Sequence, residues 1–267
     1  MKFRFKLPLA GVLAATLVLV ACSGGTVGNI IAGAAGGKGQ VRLVDASPDS
    51  AGPLSLVVAA TTINSGVSSA TPFGIYAQVG AGPQTFTITP STVPGVNKSI
   101  AASTFYTVVL GGQAGNGTLA EYIFQDTNSV QSPTSVRFKV DDAAPALGTI
   151  DVYVYQGATL PATPTVAGLT AGQDSGSIAS PPGNSYIPPQ GSATTLPSGV
   201  YTITVTAAGV PGNVLFTGSA TLNVNSSYSF IVGDSTAGPG TARVLLAVDQ
   251  PPVGSNQSSI LTSSRQP

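Results

Sequence analysis

Cys22 is the only cysteine in the 267-residue chain, and its thiol closes the run Leu19-Val20-Ala21-Cys22. A bulky aliphatic residue three positions before a cysteine and a small residue directly before it suit one chemistry, acylation of the sulfur. A signal peptidase pocket takes the Leu19, Val20 and Ala21 side chains while the thiol carries diacylglycerol. Upstream, Lys2, Arg4 and Lys6 precede the apolar stretch Leu7 to Val20. A charged start, a short hydrophobic stretch and small residues before the cut form a secretory leader. The apolar run is shorter than the ~20 residues a bilayer core requires, and Pro8 lies inside it. The expectation is a leader over residues 1–21 that is removed, not a retained membrane span. Each buried methylene of an attached chain contributes ~0.8 kcal/mol, so one acyl chain binds marginally and two or three hold firmly.

Other residue types able to do chemistry do not assemble into a recognisable site. The chain has no histidine, which removes the usual general base near neutral pH, imidazole metal ligands and a Ser-His-Asp arrangement. Lys98-Ser99 and Lys139 lack the spacing of a serine–lysine pair. Glu121, the only glutamate, would need an aspartate facing it across a substrate to work as a glycosidase, and Asp126 falls on the same strand or the turn after it. No catalytic residue and no cofactor are predicted. Asp45, Ser47 and Asp49, with Asp141 and Asp142 further on, offer oxygen ligands to calcium. The same residues suit turns in which an aspartate accepts backbone N–H groups, and that is the expectation, with no metal site. Arg42 and Arg137 are expected to pair locally with carboxylates or carbonyls. Tyr106 and Tyr228 sit in alternating apolar strands and are expected to pack in a core.

Composition bounds the rest. From residue 22 onward seven basic and ten acidic side chains remain, a net charge of −3, with the basic ones scattered rather than gathered. A nucleic-acid partner would need a basic stripe, so none is expected. Charged residues make up only 7%, yet hydrophobic residues reach 42% and mean hydropathy is +0.33. Disordered chains combine low hydrophobicity with high charge, so this chain is expected to bury a core, and to do so without disulfides.

Residues 22–39 are rich in Gly, Ala and Ser and read as a flexible tether after the lipidated cysteine. Beyond it, short apolar runs bounded by Gly, Pro, Asn and Ser recur: Val41 to Val44, Leu54 to Ala59, Thr85 to Thr89, Phe105 to Leu110 and Glu121 to Gln125. Thr85-Phe86-Thr87-Ile88-Thr89 alternates cleanly, as a half-buried strand does. Helical periodicity is absent, so the class is all-β. The strand order then recurs. Val136-Arg137-Phe138-Lys139-Val140-Asp141 answers Val41-Arg42-Leu43-Val44-Asp45, and Ile150 to Val154 answers Leu54 to Val58. Gly199 to Thr206 answers Gly82 to Thr89, Asn225 to Ile231 answers Ser103 to Val109, and Gly240 to Arg243 answers Gly117 to Ala120. Two β-sandwich domains are expected, at 40–130 and 135–250, each folding separately on its own apolar strands. An insertion in the second falls near 167–195, and 251–267 is expected to be a disordered tail. Within the insertion, Tyr186 and Ile187 stand among prolines and form a candidate binding loop.

The opening Val41 to Asp49, the Thr-Phe-Thr-Ile-Thr strand and the segment Ser103 to Gly112 together resemble the domain of unknown function 4397, over about Gln40 to Asp249. That resemblance implies immunoglobulin-like antiparallel sandwiches in tandem and assigns no activity or functional residue. Ser23 stands where an aspartate would favour inner-membrane retention, so similarity to lipoproteins of double-membraned bacteria implies the outer membrane. The expected function is a non-enzymatic cell-envelope lipoprotein, held on the membrane through Cys22 and facing an unknown protein or glycan partner. The alternative is a carbohydrate-binding or carbohydrate-processing module using Tyr76, Tyr122, Tyr153, Tyr155 and Tyr186 as stacking faces, against which the absence of tryptophan counts.

Overall fold

The computed structural model describes residues 37–126, 136–175, 198–224, 226–237, 240–249 and 258–264. The leader, Leu19, Val20, Ala21, Cys22, most of the tether, Tyr186 and Ile187 lie outside them. Strands β1 (Lys38–Asp45), β2 (Leu54–Val58), β3 (Thr61–Val67), β4 (Ala77–Gly80), β5 (Gly82–Thr89), β6 (Val96–Ile100), β7 (Phe105–Gly111) and β8 (Ala120–Asp126) form the first half. The second holds β9 (Arg137–Asp142), β10 (Ile150–Tyr155), β11 (Val166–Leu169), β12 (Gly199–Ala207), β13 (Val210–Leu222), β14 (Ser227–Asp234), β15 (Ala242–Asp249) and β16 (Ser259–Ile260). The all-β expectation holds.

Four four-stranded sheets result, ordered β4-β1-β7-β8, β3-β2-β5-β6, β16-β15-β14-β9 and β11-β10-β12-β13. Most neighbours run antiparallel, but β1 pairs with β7 in parallel and β9 pairs with β14 in parallel. The pairing order of β1, β2, β3, β5, β6, β7 and β8 recurs in β9, β10, β11, β12, β13, β14 and β15. In the first half Val41, Leu43, Leu56, Phe86, Ile88 and Val108 close one core. In the second, Phe138, Val152, Ile203, Phe216, Phe230 and Leu246 close another. Each such large apolar side chain contributes ~1.5–3 kcal/mol when fully buried.

A third apolar layer joins the halves. Alternate residues of a strand face opposite sides of its sheet, so while Leu43 and Val108 turn into the first core, Val44, Ala46, Val109 and Phe124 turn the other way. There they meet Ala143, Ile231, Leu245 and Ala247 of the second half. The sheets β4-β1-β7-β8 and β16-β15-β14-β9 are therefore covered on both faces, and β14 is buried at every position. Separate folding of the halves, expected from their separate strand sets, would strip this face from each.

Three segments differ from expectation. The repeat is offset by two residues at its start. Tyr106 is opposite Val41 and Tyr228 opposite Phe138, and each tyrosine hydroxyl accepts the backbone N–H five residues before it, from Ala101 at 3.1 Å and Asn223 at 2.9 Å. Arg42 therefore corresponds to Lys139, and Arg137 to Gln40. Thr170 to Ser175, read as insertion, lies against β9: Gly172 donates to the Asp142 carbonyl at 2.8 Å and the Ser175 hydroxyl accepts the Val140 N–H at 3.1 Å. Residues 258–264, read as disordered tail, return to the fold, where β16 pairs with β15 and Leu261 enters the second core.

The contact between halves requires glycine at two corresponding positions. A Cβ on Gly111 would stand 2.0 Å from the Ala143 carbonyl oxygen, and one on Gly233 would stand 2.5 Å from that of Ala46. Both obstacles are backbone, which cannot rotate away. Gly111→Ala and Gly233→Ala are each expected to destabilise the chain by about 1–3 kcal/mol through overpacking, measured as a lower urea midpoint. An unchanged midpoint in both would show that the faces do not meet as described.

Candidate functional site

The charged residues of the joining face form one buried network. β1 presents Arg42 beside Val44, β7 presents Thr107, β8 ends on Asp126, β9 presents Lys139 and Asp141, β14 presents Ser229 and β15 ends on Asp249. The side chains of Arg42, Asp126, Lys139 and Asp249 are 0–3% exposed. Arg42 donates from Nε to Thr107 Oγ1 at 2.9 Å, from Nη1 to the Val248 carbonyl at 2.9 Å, and from Nη2 to Asp249 Oδ1 at 2.5 Å. Lys139 Nζ lies 3.0 Å from Asp126 Oδ1 and 2.8 Å from Asp141 Oδ2, both as ion-pair contacts, and donates an aligned hydrogen bond to Asp141 Oδ1 at 2.9 Å. Each terminal aspartate also accepts a hydroxyl from its own half: Thr107 to Asp126 at 2.6 Å and Ser229 to Asp249 at 2.7 Å.

The pattern is reciprocal. Arg42 corresponds to Lys139, Thr107 to Ser229 and Asp126 to Asp249, and each cation pairs with the aspartate of the opposite half. The Tyr76 hydroxyl donates to Asp126 at 2.8 Å while its ring lies under the Arg42 guanidinium, 4.6 Å from the centroid.

Two cations face three carboxylates, so one carboxylate is in excess. Burial alone would raise Asp126, but Lys139 and then Arg42 draw it below the usual carboxylate range. Burial pushes Asp141 up to about 7, opposed by Lys139 and reinforced by Asp126. Burial disfavours a charged Lys139, yet Asp141 and Asp126 outweigh it and hold the ammonium protonated. The lattice is buried, and its ion pairs tie the two facing sheets together.

The other predicted residues are distributed as follows. Asp45 accepts the Ser47 N–H at 3.1 Å and Asp142 accepts the Ala144 N–H at 2.9 Å, so both close Asx turns. Asp49 accepts the Ala114 and Gly115 N–H groups at 2.8 and 2.9 Å. Among the described residues no group of three or more metal-ligating side chains converges. Lys98 and Ser99 are exposed on β6. Glu121 and Asp126 stand five residues apart on β8 and so point to opposite faces. Glu121 is 8% exposed, and neither of its oxygens has a hydrogen-bond partner among the described residues that meets full distance and angle criteria. Burial pushes it up to about 8, with Val96 opposing weakly. Arg137 opens β9 two residues before Lys139 and is level with Ser227 of β14, which in turn is level with Asp249 of β15. Tyr106 and Tyr228 are core residues, Tyr153 is buried and Tyr122 half-buried. Asp249, Ser229 and Thr107 were not legible as site residues, because nothing local marks a strand-end aspartate as the partner of an arginine some 200 positions away. The only signal was that Asp126 and Asp249 close corresponding strands.

Residues 39–153 match the model of the domain of unknown function DUF4397. The DUF4397 span takes in β1 to β9 and most of β10, so it contains Arg42, Asp126, Lys139 and Asp141 but not Asp249. A comparison with curated proteins finds no match.

Two outcomes follow. Lys139→Met leaves Asp126 and Asp141 buried without their cation and should cost about 3–5 kcal/mol at pH 7.5, part of which Asp141→Asn should restore; an unchanged urea midpoint would contradict the network. Separately, Asp141, Asp142 and Glu121 carry folded-state pKa values of about 7, 7 and 8, above their unfolded values of about 3.9 to 4.3. Their contribution is complete below the unfolded values and is lost as pH rises through 7 to 8. The melting temperature should therefore fall by on the order of 5 °C between pH 5 and pH 8.5, and Glu121→Gln should flatten part of that slope. A melting temperature that rises over this range would refute the assignment.

Proposed function

We propose that this chain is a lipid-anchored, non-enzymatic protein of the cell envelope. Cys22 carries the lipid, residues after it act as a tether, and two immunoglobulin-like sandwiches together form a rigid body that presents loops to a protein partner away from the membrane. The observation that carries the reading is the run Leu19-Val20-Ala21-Cys22 behind a charged, apolar leader; the first strand among the described residues opens at Lys38. The buried ion pairs between the halves support rigidity, since a flexible pair of domains would not desolvate two cations and three carboxylates at their junction. No helix among the described residues is long and apolar enough to cross a membrane, which suits attachment by acyl chains. The carbohydrate alternative loses ground with Tyr76 covered by Arg42 and Tyr153 buried, since a sugar must reach a ring face to stack on it.

The test is metabolic labelling of the full chain with a palmitate analogue, followed by membrane fractionation. The parent should label and sediment with the outer membrane, whereas Cys22→Ser should lose the label and leave that fraction. Equal labelling of the two would end the proposal. Reproducible binding of the parent to one sugar class on a glycan array would replace the protein-partner role with the alternative.

A further inference from the structure

At one pole of the junction the β7–β8 and β14–β15 hairpins meet, with Gln113 Nε2 donating to the Ser235 carbonyl at 2.8 Å. Beside this contact lies a cleft of about 400 Å3 whose wall includes Asp49, Asn116, Leu147, Asp234, Ser235 and Thr241. None of the described residues lining it is basic. Asp234 is 1% exposed, and its Oδ2 accepts only a long 3.5 Å bond from the Ala146 N–H. Its Oδ1 and Asp142 Oδ2 are buried and have no hydrogen-bond partner among the described residues. Asp142 is opposite Val232 in the β9–β14 pair, so Asp234, two residues further along β14, lies on the same face of the neighbouring strand.

The corresponding pole of the other half shows what this one lacks. Asp45 corresponds to Asp142, and its Oδ2 accepts the Ser50 hydroxyl at 2.6 Å. Arg243, reaching across the junction to the Ser47 and Ser69 carbonyls at 3.1 and 2.9 Å, adds a positive charge that favours the ionised Asp45. In the register set by Tyr106 and Tyr228, the position of Ser50 is taken by Leu147 and that of Arg243 by Ala120, while Gly112 is replaced by Asp234. The second pole has therefore lost a hydroxyl and a guanidinium and gained a carboxylate, at the wall of an open cleft. Asp234 lines the cleft and Asp142 lies behind it, each with one orphaned carboxylate oxygen; Ser235 and Thr236 beside Asp234 offer hydroxyls and carbonyls, the oxygen ligands that hard cations take.

We propose that Asp142 and Asp234, completed by neutral oxygens of Ser235 and Thr236 and by water, bind a divalent cation of the calcium type at this pole. With two carboxylates rather than three or four, the affinity belongs to the weak class of ~10⁻⁴–10⁻³ M seen in extracellular modules. The site is independent of the lipid anchor and of any protein partner.

Thermal unfolding of the full chain at pH 7.5 with CaCl2, against NaCl at matched ionic strength, tests the proposal. Calcium at 10 mM should raise the melting temperature by about 3 to 8 °C, and calorimetric titration should give one site. Asp234→Asn keeps the Oδ acceptor for Ala146 yet should abolish the calcium response and the titration signal, and Asp142→Asn should do the same. If Asp142→Asn fails to fold, Asp234→Asn at the cleft wall still decides. No calcium shift in the parent, a shift matched by NaCl, or a response that survives Asp234→Asn would each overturn the proposal and leave protons alone to neutralise the pair.

Discussion

Two buried cations, each paired with the aspartate of the opposite half, constrain everything else in this structure. Arg42 must reach Asp249 and Lys139 must reach Asp126, or Arg42, Asp249 and Asp126 lose their counter-charges while desolvated, an arrangement that costs several kcal/mol per ion. Ion pairs so placed add little net stability against an apolar face of the same shape. Their stronger effect is on geometry: a slide of one sheet past the other by a single residue, about 3.3 Å, would carry each cation out of hydrogen-bonding distance of its aspartate. Thr107 and Ser229 orient the carboxylates, and Tyr76 covers the Arg42 side, so the pairs have little freedom to rearrange.

The close approach of the sheets depends on this register. Gly111 against Ala143 and Gly233 against Ala46 bring backbone to backbone at two corresponding points, which only residues without a Cβ allow. Between them the apolar layer of Val44, Val109, Phe124, Ile231 and Leu245 excludes water, and water exclusion is what makes the ion pairs strong. Apolar closure and charge pairing are thus mutually dependent. The two halves share one apolar layer and two ion pairs.

The poles of the junction are not equivalent, and function is more readily sought there than in the network. The paired charges of the junction are buried. At the first pole Asp45 is satisfied by the Ser50 hydroxyl and the nearby Arg243, whereas at the second Asp234 lies in the wall of an open cleft that Asp49 also lines. Near-symmetry of the fold makes the difference legible, because each missing donor has a counterpart that shows what it does.

The sequence by itself determined the all-β class, the recurring strand order and the β-strand alternation of segments such as Thr85 to Thr89, because period-two patterning and Gly/Pro punctuation are local properties of the chain. It also carried the Asx turns at Asp45 and Asp142, which need only two residues of separation. It misplaced the repeat by two residues at β9, since Val136-Arg137 mimics Val41-Arg42 in type while the true register is set by strand pairing to Tyr228. It also took the end of the chain for a tail, although Leu261 finds a place in the second core. Only the tertiary structure decided that Arg42 meets Asp249 and not a neighbour in its own sandwich, and that Gly111 and Gly233 are contact points and not turn residues. The physical reason is that a strand buried on both faces has two environments, and the second is supplied by a sheet whose position no local pattern encodes.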